Sequence, residues 1–520
     1  MQSHNSSTWN GAVSHSTSGD SILDYFAKAG SYRNRTQSEV DADMASIFGE
    51  DEELALKAVL YNRMITRKCK GFVEETSLQK GQGQKDEFLK SLNWLERNRP
   101  ELLEKNLWLT AEVGSWKDLV NAYLMGLDVK WIYPLLRDGI NDSYHRGLIA
   151  KFLPKIRSRR NTKNDRHKRL NLFGRGFAEY MGWSEKNYRE FKSDPENSAH
   201  QFQRDMCSEN WKGIDINTIP GKALFRMVSQ KGRDGKSVFG RHNLEGKLIQ
   251  YVKSHPVKFN GYPYELLQAA KGDRTLVQTH TYNAQFDSLV KKAKEECNPE
   301  LLAGGVLCAL DTSGSMGYLG HYGYGTSVTQ PIDVCVGLGL YFSSLIEGHF
   351  KNHVCMFDNT SRIIKLNGTF CDKVDQVKRQ AVAWGGTNFQ SVIDEIVRVR
   401  KQNPSIPVEE FPKTLLVVSD MQFNPAGGND KTNYEMASTK LRNVGLPEMN
   451  FIWWNVNGRY TRDVPVKKDD KGTMLLSGMD GAVLSMFFSK DVQSKTPKQL
   501  TPLEAMHQAL DQEILNLVEV

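Results

Sequence analysis

Apolar residues between about residues 46 and 300 recur at three- and four-residue spacing. Glu52–Lys70 carries Leu54, Ala58, Tyr61 and Ile65 along one face, which is typical of an amphipathic helix. The same period predicts further helices at Phe88–Arg97, Trp116–Leu124, 141–152, 170–181, 197–207, 219–230 and 241–254. The pattern therefore predicts an α-solenoid or helical bundle over 46–300, although no fixed-period repeat is present.

Breaks and flanking segments divide this helical region. Arg99-Pro100, Gly114-Ser115 and Asp138-Gly139 predict interruptions between helices. Residues 1–45 are rich in Ser, Asn, Gly and Thr with few aliphatic side chains. They predict a flexible N-terminal arm.

From about residue 301 the pattern changes to short apolar runs alternating with helices. The predicted strands are Gly305–Leu310, His353–Phe357, Arg362–Leu366, Thr414–Val418, Asn450–Val456 and Thr473–Leu476, and the predicted helices are Pro331–Phe350, Phe389–Arg400 and Leu503–Leu517. Repeated βα units predict a doubly wound parallel sheet over 301–520, with its site at the carboxyl ends of the strands. Trp453-Trp454 falls inside one such strand and is predicted to pack in the core.

Composition narrows the class of protein. The 520 residues exceed one compact core, and 39% hydrophobic and 25% charged residues are ordinary for a globular protein. No apolar run is long enough to cross a membrane, and the N-terminus does not resemble a secretory signal. The seven cysteines are scattered without a C-x-x-C pair, which argues against disulfides and structural zinc and favours a cytoplasmic location. A monomer is expected.

Polar side chains follow three segments of the predicted sheet. Asp311, Ser313 and Ser315 come directly after the first strand, Thr387 precedes a helix, and Asp420 follows the strand Thr414–Val418. Loops at the carboxyl ends of parallel strands converge, so these oxygen donors can meet. Such a set suits Mg²⁺, with Mn²⁺ or Ca²⁺ as alternatives.

This pattern resembles the metal-ion-dependent adhesion site (MIDAS) of von Willebrand factor A-type domains, and all five family positions are matched. The resemblance implies that the two aspartates act partly through water while the hydroxyls approach the ion, and that a partner's carboxylate completes the coordination. As an alternative, Asp311 and Ser313 could merely cap the next turn, but capping explains neither Thr387 nor Asp420. An aspartate-nucleophile phosphatase would need a second acid where Ser313 stands. We therefore expect no enzymatic activity.

A basic run lies in the helical region. Lys151–Arg169 contains nine cationic side chains against one Asp, and such a run can neutralise phosphates. A solvated loop or a targeting signal would have the same composition. The cationic residues are Lys151, Lys155, Arg157, Arg159, Arg160, Lys163, Arg166, Lys168 and Arg169.

Other motifs resemble the TROVE module of the Ro RNA-binding proteins. They are the Arg-containing end of the first helix, the Gly81-Gln-Gly83 preceding Lys85, Gly114–Leu119, Lys151–Lys155, Tyr188-Arg189 and Trp211–Pro220. They look still closer to an uncharacterised family of plants and large DNA viruses. Both families place a helical half before a von Willebrand A domain. The resemblance implies a ring of HEAT-like repeats that binds structured or misfolded noncoding RNA and single-stranded RNA ends.

Two functions are consistent with these observations. The first is a non-enzymatic, Ro-like RNA-binding protein whose A domain carries a metal-dependent docking site. The alternative is a protein-interaction or virion-associated scaffold that binds an acidic partner through the metal. Neither requires a membrane.

Overall fold

The computed structural model describes residues 6–32, 35–66, 86–157, 164–194, 201–299, 305–319, 329–381, 385–427, 431–446, 448–457, 463–479, 481 and 500–520. Up to residue 299 the described chain is mostly helical. Its elements are β1 (Ser6–Ser7), β2 (Val13–Ser14), α1 (Ser21–Ala29), α2 (Gln37–Phe48), α3 (Glu52–Ile65), α4 (Asp86–Asn98), α5 (Pro100–Asn106), α6 (Leu109–Val113), α7 (Trp116–Met125), α8 (Val129–Asn141), α9 (Ser143–Phe152), α10 (Asp165–Tyr180), α11 (Glu185–Ser193), α12 (Gln201–Cys207), α13 (Gly221–Ser229), α14 (Val238–Arg241), α15 (Glu245–Ser254), α16 (Pro263–Ala270) and α17 (Leu276–Glu296).

The remaining elements form an α/β domain. They are β3 (Val306–Asp311), α18 (Pro331–Leu345), β4 (His353–Phe357), β5 (Ser361–Lys365), α19 (Phe370–Gln380), α20 (Phe389–Gln402), β6 (Thr414–Ser419), α21 (Asn433–Arg442), β7 (Asn450–Asn455), β8 (Thr473–Ser477) and α22 (Pro502–Leu510). The strand order is β5-β4-β3-β6-β7-β8, and every pair is parallel except β4–β5. The predicted fold class, a helical region followed by a Rossmann-like α/β domain, is confirmed.

The central strands are buried along their whole length. Every residue of β3, β6 and β7 is buried, as expected of parallel strands covered by helices on both faces. Trp453 and Trp454 of β7 are 1% and 0% exposed, which confirms their predicted place in the core. The indole nitrogen of Trp454 donates a hydrogen bond to the carbonyl of Gly478 at 2.9 Å, so its polar group is satisfied.

Two compact units divide the chain differently from the predicted boundaries at residues 45 and 300. One comprises Arg35–Met64, Lys85–Thr218 and Leu510–Val520, and the other comprises Met1–Asn34, Ile65–Gln84 and Ile219–Ala509. Helices α13 to α17 thus belong with the α/β sheet.

Close helix packing explains this correction. A Cβ added to Gly337 of α18 would lie 2.7 Å from the backbone nitrogen of Tyr264 in α16. Only glycine allows α16 and α18 to approach this closely. The contact joins two segments that a change of hydrophobic period had assigned to separate domains.

The described part of residues 1–45 is folded, which corrects the expected flexible arm. Ile22, Leu23 and Phe26 of α1 are buried, and the backbone N–H of Gly30 donates to Ser477 Oγ at 3.0 Å. Asp20 caps α1 by accepting a hydrogen bond from the backbone of Leu23, a helix-start signal that the Ser- and Gly-rich composition obscured.

Several predicted helix boundaries were wrong. The helix predicted over Pro331–Phe350 ends at Leu345. Asp138-Gly139 lies inside α8, where a Cβ on Gly139 would lie 2.5 Å from the Trp116 ring, so this glycine serves close packing. The closing helix ends at Leu510 and is followed by a 3-10 turn at Leu515–Leu517. The breaks at Arg99-Pro100 and Gly114-Ser115 are confirmed by the starts of α5 and α7. Within the described ranges, no helix is both long and apolar enough to span a membrane.

Candidate metal centre

Asp311 is the last residue of β3 and is fully buried. Its Oδ1 accepts a hydrogen bond from the backbone N–H of Ser313 at 2.9 Å. Its Oδ2 accepts one from the hydroxyl of Ser419, the last residue of β6, at 2.5 Å. Both oxygens are therefore held in fixed directions by the neighbouring strand end and by the chain's own turn.

The hydroxyls of Ser313 and Ser315 lie on the turn that follows β3, and their oxygens are 3.2 Å apart. Ser313 is buried and Ser315 is exposed. The backbone N–H of Gly314 between them donates to the carbonyl of Gly385 at 3.2 Å. This bond ties the serine turn to the loop that carries Thr387.

Thr387 is buried just before α20. Its backbone N–H donates to Asn424 Oδ1 at 3.2 Å, and its carbonyl accepts from the N–H of Asn424 at 2.8 Å. On the other side, Asn359 Oδ1 accepts from the N–H of Gly386 at 2.7 Å. Two asparagine side chains therefore fix the backbone of the threonine loop.

Asp420 follows β6 and is fully buried. Its Oδ1 accepts a hydrogen bond from the backbone N–H of Gln422 at 3.2 Å. Met421 between them has a φ of 62°, a left-handed conformation that is uncommon for a residue other than glycine. Such local strain is often retained at functional sites.

The electrostatics of the site disfavour ionisation of both Asp311 and Asp420 when no cation lies between them. Burial, followed by the negative charge of Asp420, raises the pKa of Asp311 to about 7, while hydrogen bonds from Ser313 and Ser419 act in the opposite direction. Among the described residues, no ion pair to Asp311 is found. A divalent cation would offset the repulsion, and the carboxylate and hydroxyl oxygens are the hard donors that Mg²⁺ and Mn²⁺ prefer. The residues therefore fit the ion that the sequence predicts.

Hydroxyl donors are essential to this assignment. Within the described part of the chain, no group of three or more His, Cys, Asp and Glu side chains is arranged to hold a metal. The two carboxylates at the ends of β3 and β6 would thus need Ser313, Ser315 and Thr387 to complete a site.

Sequence reasoning missed the residues that support the loops. Asn359 lies two residues after the end of β4, so the rule that placed Asp311 and Asp420 at strand ends could also have found it. Asn424 lies four residues beyond Asp420 and carries no comparable signal.

Downstream of the serine turn, Gln330 Oε1 accepts a hydrogen bond from the backbone N–H of Tyr318 at 2.7 Å.

A buried ion pair supports Gln330 in turn. The backbone N–H of Gln330 donates to Asp333 Oδ2 at 3.1 Å. Lys271 Nζ lies 2.6 Å from Asp333 Oδ1, and both side chains are buried. This chain of contacts leads from α16 to the segment next to the serine turn.

The basic run divides into exposed and engaged side chains. Lys151, Lys155, Arg157 and Arg166 are exposed. Lys168 pairs with Asp165 at 2.9 Å. Arg159, Arg160 and Lys163 lie outside the described residues.

Arg169, although exposed, has a structural role. Its guanidinium donates to the carbonyls of Tyr123 and Leu124, both at 2.7 Å, near the end of α7. It also lies over the Tyr123 ring, 5.3 Å from the ring centre. Part of the hydrogen-bonding capacity of the Arg169 guanidinium is therefore used within the protein.

Two segments singled out in the sequence, Lys151–Lys155 and Tyr188-Arg189, contact each other. The buried Tyr188 hydroxyl donates to the carbonyl of Pro154 at 2.7 Å. Lys192 Nζ donates to the carbonyls of Ala150 and Leu153 near the end of α9. Burial, followed by the nearby charge of Lys155, lowers the pKa of Lys192 to about 8. Positive charge is thus concentrated around the start of the basic run.

A cleft of about 1050 Å³ lies between α21 and the loops that precede β7 and β8. Its lining includes Glu448, Asp469 and Asp470. The strands of this sheet are parallel at β6, β7 and β8, so the cleft lies at the amino ends, opposite the edge that holds Asp311 and Asp420. No motif in the sequence pointed to it.

Comparison with known proteins gives two findings. Residues 306–514 match a family model described as a domain of unknown function (DUF7788). Uncharacterized protein L728 of Acanthamoeba polyphaga mimivirus is 22% identical over 557 residues, covering 98% of this chain and 88% of the viral protein. The chain is therefore distantly homologous to a protein of a large DNA virus over nearly its whole length, which confirms that part of the expected resemblance.

Proposed function

We propose that the α/β domain is a docking module that binds a carboxylate-bearing protein partner through a divalent cation. Its pattern resembles the MIDAS of von Willebrand A domains at Asp311, Ser313, Ser315, Thr387 and Asp420. One observation carries the proposal: the three loops that hold these residues are hydrogen-bonded to one another. The bonds are Ser419 to Asp311, Gly314 to Gly385, and Thr387 to Asn424.

Each supporting residue has a defined task in this proposal. Ser419 and the N–H of Ser313 orient the two oxygens of Asp311. Asn424 and Asn359 hold the loop of Thr387, and Gln422 orients Asp420. The bound cation, Mg²⁺ or Mn²⁺, supplies positive charge and a coordination position for an incoming carboxylate.

Exposure favours docking over catalysis. Ser315 and Gly314 are exposed while Asp311, Ser313, Thr387 and Asp420 are buried. A ligand would approach across the serine turn, and a macromolecule can reach such a turn without a deep cavity. We assign no nucleophile or general base, because the Ser419 hydroxyl serves to orient Asp311 and the Asn359 and Asn424 amides serve to fix the loop of Thr387.

Peptide binding tests this proposal. An Asp-containing peptide should bind in Mn²⁺ and should dissociate when the metal is chelated. Asp420→Ala should abolish the binding. Asp469→Ala removes an exposed carboxylate at the opposite edge of the sheet and should leave the binding unchanged. Equal binding with and without chelator would refute docking through the metal.

We propose RNA as a second ligand, bound by the helical region that resembles TROVE modules. The observation in favour is the set of exposed cations Lys151, Lys155, Arg157 and Arg166. They lie near Lys192, whose pKa is lowered by burial and then by the charge of Lys155. If about four cations contact phosphates, the log–log salt slope on single strands should be roughly −3.

Charge reversal tests the second proposal. Lys155→Glu with Arg157→Glu should weaken binding to all RNAs and reduce the slope by about 1.4, since each phosphate contact contributes about 0.7. Lys291→Glu with Lys292→Glu changes the net charge equally on exposed positions of α17 and is the matched control. If Lys155→Glu with Arg157→Glu left the salt slope unchanged, the basic run would be only a solvated surface that does not contact RNA.

A further inference from the structure

The N-terminal turn lies against the loop that carries Asp420. Thr8 Oγ1 donates to the carbonyl of Phe423 at 2.7 Å. The backbone N–H of Trp9 donates to Gln422 Oε1 at 2.6 Å, and Asn10 Nδ2 donates to the carbonyl of Gln422 at 2.5 Å. Gln422 is the residue whose N–H binds Asp420, so this turn borders the proposed metal site.

The turn itself is fixed. The N–H of Gly11 donates to the carbonyl of Thr8 at 2.9 Å, and the N–H of Ala12 donates to Thr8 Oγ1 at 3.0 Å. Thr8 is buried. Gly11 has a φ of 86°, which glycine adopts without strain. On either side, β1 and β2 pair in antiparallel register. Trp9 therefore occupies a defined position at the tip of a hairpin.

Trp9 is unusual in its exposure. Its side chain is 79% exposed, whereas Trp453 and Trp454 in the same unit are almost completely buried. Folding gains little from a tryptophan in this position, because most of its apolar surface stays in water. An exposed tryptophan on a hydrogen-bonded turn is instead the kind of residue that anchors protein interfaces.

We propose that Trp9 is a specificity-determining residue of the docking site formed by the proposed metal centre and the adjoining N-terminal turn Thr8–Ala12. It would contact an apolar or aromatic side chain that neighbours the metal-bound carboxylate of an acidic partner segment. This inference rests on the proposed metal-dependent docking. A carboxylate on a cation selects for charge alone, and a neighbouring aromatic surface adds a preference for the sequence around that charge.

Two short synthetic peptides test the assignment. One carries an Asp flanked by glycines, and the other carries an Asp followed by Phe. In Mn²⁺ the parent protein should bind the Phe-containing peptide at least about tenfold more tightly, as expected of one aromatic contact. Trp9→Ala should reduce that preference to less than about twofold. Trp9→Phe, which keeps an aromatic ring, should retain part of it.

Controls separate this inference from the proposal on which it rests. Trp9→Ala should bind Mn²⁺ alone as tightly as the parent, since Trp9 contacts the loop through its backbone. Tyr144→Ala removes another highly exposed aromatic ring, 74% exposed in the other unit, and should keep the preference. Equal metal-dependent binding of both peptides to the parent, or an undiminished preference in Trp9→Ala, would overturn the role of Trp9 alone. If the parent protein did not bind Mn²⁺, the docking proposal would be overturned together with the role of Trp9.

Discussion

Burial and the charge of Asp420 oppose ionisation of Asp311 when no cation is bound, and Asp311 is also part of the proposed metal centre. Its pKa is raised from 3.8 to about 7 by burial and by Asp420. The folded state consequently holds this proton more tightly than the unfolded state. The contribution of Asp311 to stability therefore falls as the pH rises from about 4 to about 7, and it stays unfavourable at higher pH.

Asp311→Asn should therefore stabilise the metal-free protein while removing metal binding. At about pH 8 the free energy of unfolding in chelator should rise by on the order of 2 kcal/mol, because a buried charge is replaced by a neutral group of the same shape. At about pH 4 the variant and the parent should differ little. Denaturant titrations at both pH values measure this. A variant less stable than the parent at the higher pH would contradict the argument.

Ser419→Ala tests the residue that orients Asp311. The substitution removes the hydroxyl that donates to Asp311 Oδ2 and should weaken Mn²⁺ binding by about 10- to 100-fold, as loss of an orienting partner commonly does. Calorimetry measures the change. Ser254→Ala, on the exposed end of α15, is the matched control, and an affinity as high as the parent's in Ser419→Ala would deny the orienting role.

The residues proposed for the metal site differ in how visible they are in sequence. Asp311, Ser313, Ser315, Thr387 and Asp420 follow strands or precede a helix, so topology alone predicts that they lie near one edge. Asn424 acts through a bond to a loop that is 37 residues away in sequence. Such pairings depend on tertiary packing, and no local pattern specifies them.

At the scale of elements, a buried ion pair joins Lys271, the residue that follows α16, to Asp333 in α18. Gln268 Nε2 also donates to Asp333, at 3.0 Å. Lys271→Met would leave a buried carboxylate without its cation and should cost about 3–5 kcal/mol of stability. Thermal or denaturant unfolding measures this loss.

The double variant Lys271→Met with Asp333→Leu is the informative control. Replacing both charges with apolar side chains should recover much of the loss, because it removes the uncompensated buried charge. If the double variant were as unstable as Lys271→Met, the cost would arise from packing and not from the charge.

Elements whose sequence pattern has a single physical cause were predicted well. The strands β3, β6 and β7 are buried along their length and have apolar interiors of four or five residues, and this short length favoured strands over buried helices. Helix α8 was missed because Gly139 indicates a break locally but permits contact with Trp116 in space. The same ambiguity at Gly337 concealed the packing of α16 on α18.

At the scale of the whole molecule, the two proposed ligands use residues in different compact units. Lys155 and Arg157 lie in the unit comprising Lys85–Thr218, and Asp311 and Asp420 lie in the unit comprising Ile219–Ala509. Asp311→Ala should therefore keep the parent's RNA affinity and salt slope. Conversely, Lys155→Glu with Arg157→Glu should keep its Mn²⁺ affinity. Calorimetry and RNA titrations on both variants measure this, and loss of both activities in either variant would show that the sites depend on each other.

The division into units could not be inferred from hydrophobic period alone. Helices α13 to α17 have the same period as the helices before them, yet they pack with the sheet. The N-terminal residues 6–32 join that unit too, through hydrogen bonds to Phe423, Gln422 and Ser477. The composition of residues 1–45 predicted a mobile arm. These contacts are made by backbone groups and by small polar side chains, and composition does not reveal them.

Titration calorimetry with Mn²⁺ on the full chain tests the central claim most directly. The parent should bind one Mn²⁺, and Asp311→Ala should abolish that binding while the chain remains folded by circular dichroism. Ser313→Ala and Thr387→Ala should weaken it less, and Asp469→Ala should leave it unchanged. A parent that binds no Mn²⁺, or an Asp311→Ala variant that binds it with the parent's affinity, would contradict the metal centre proposed at Asp311 and Asp420.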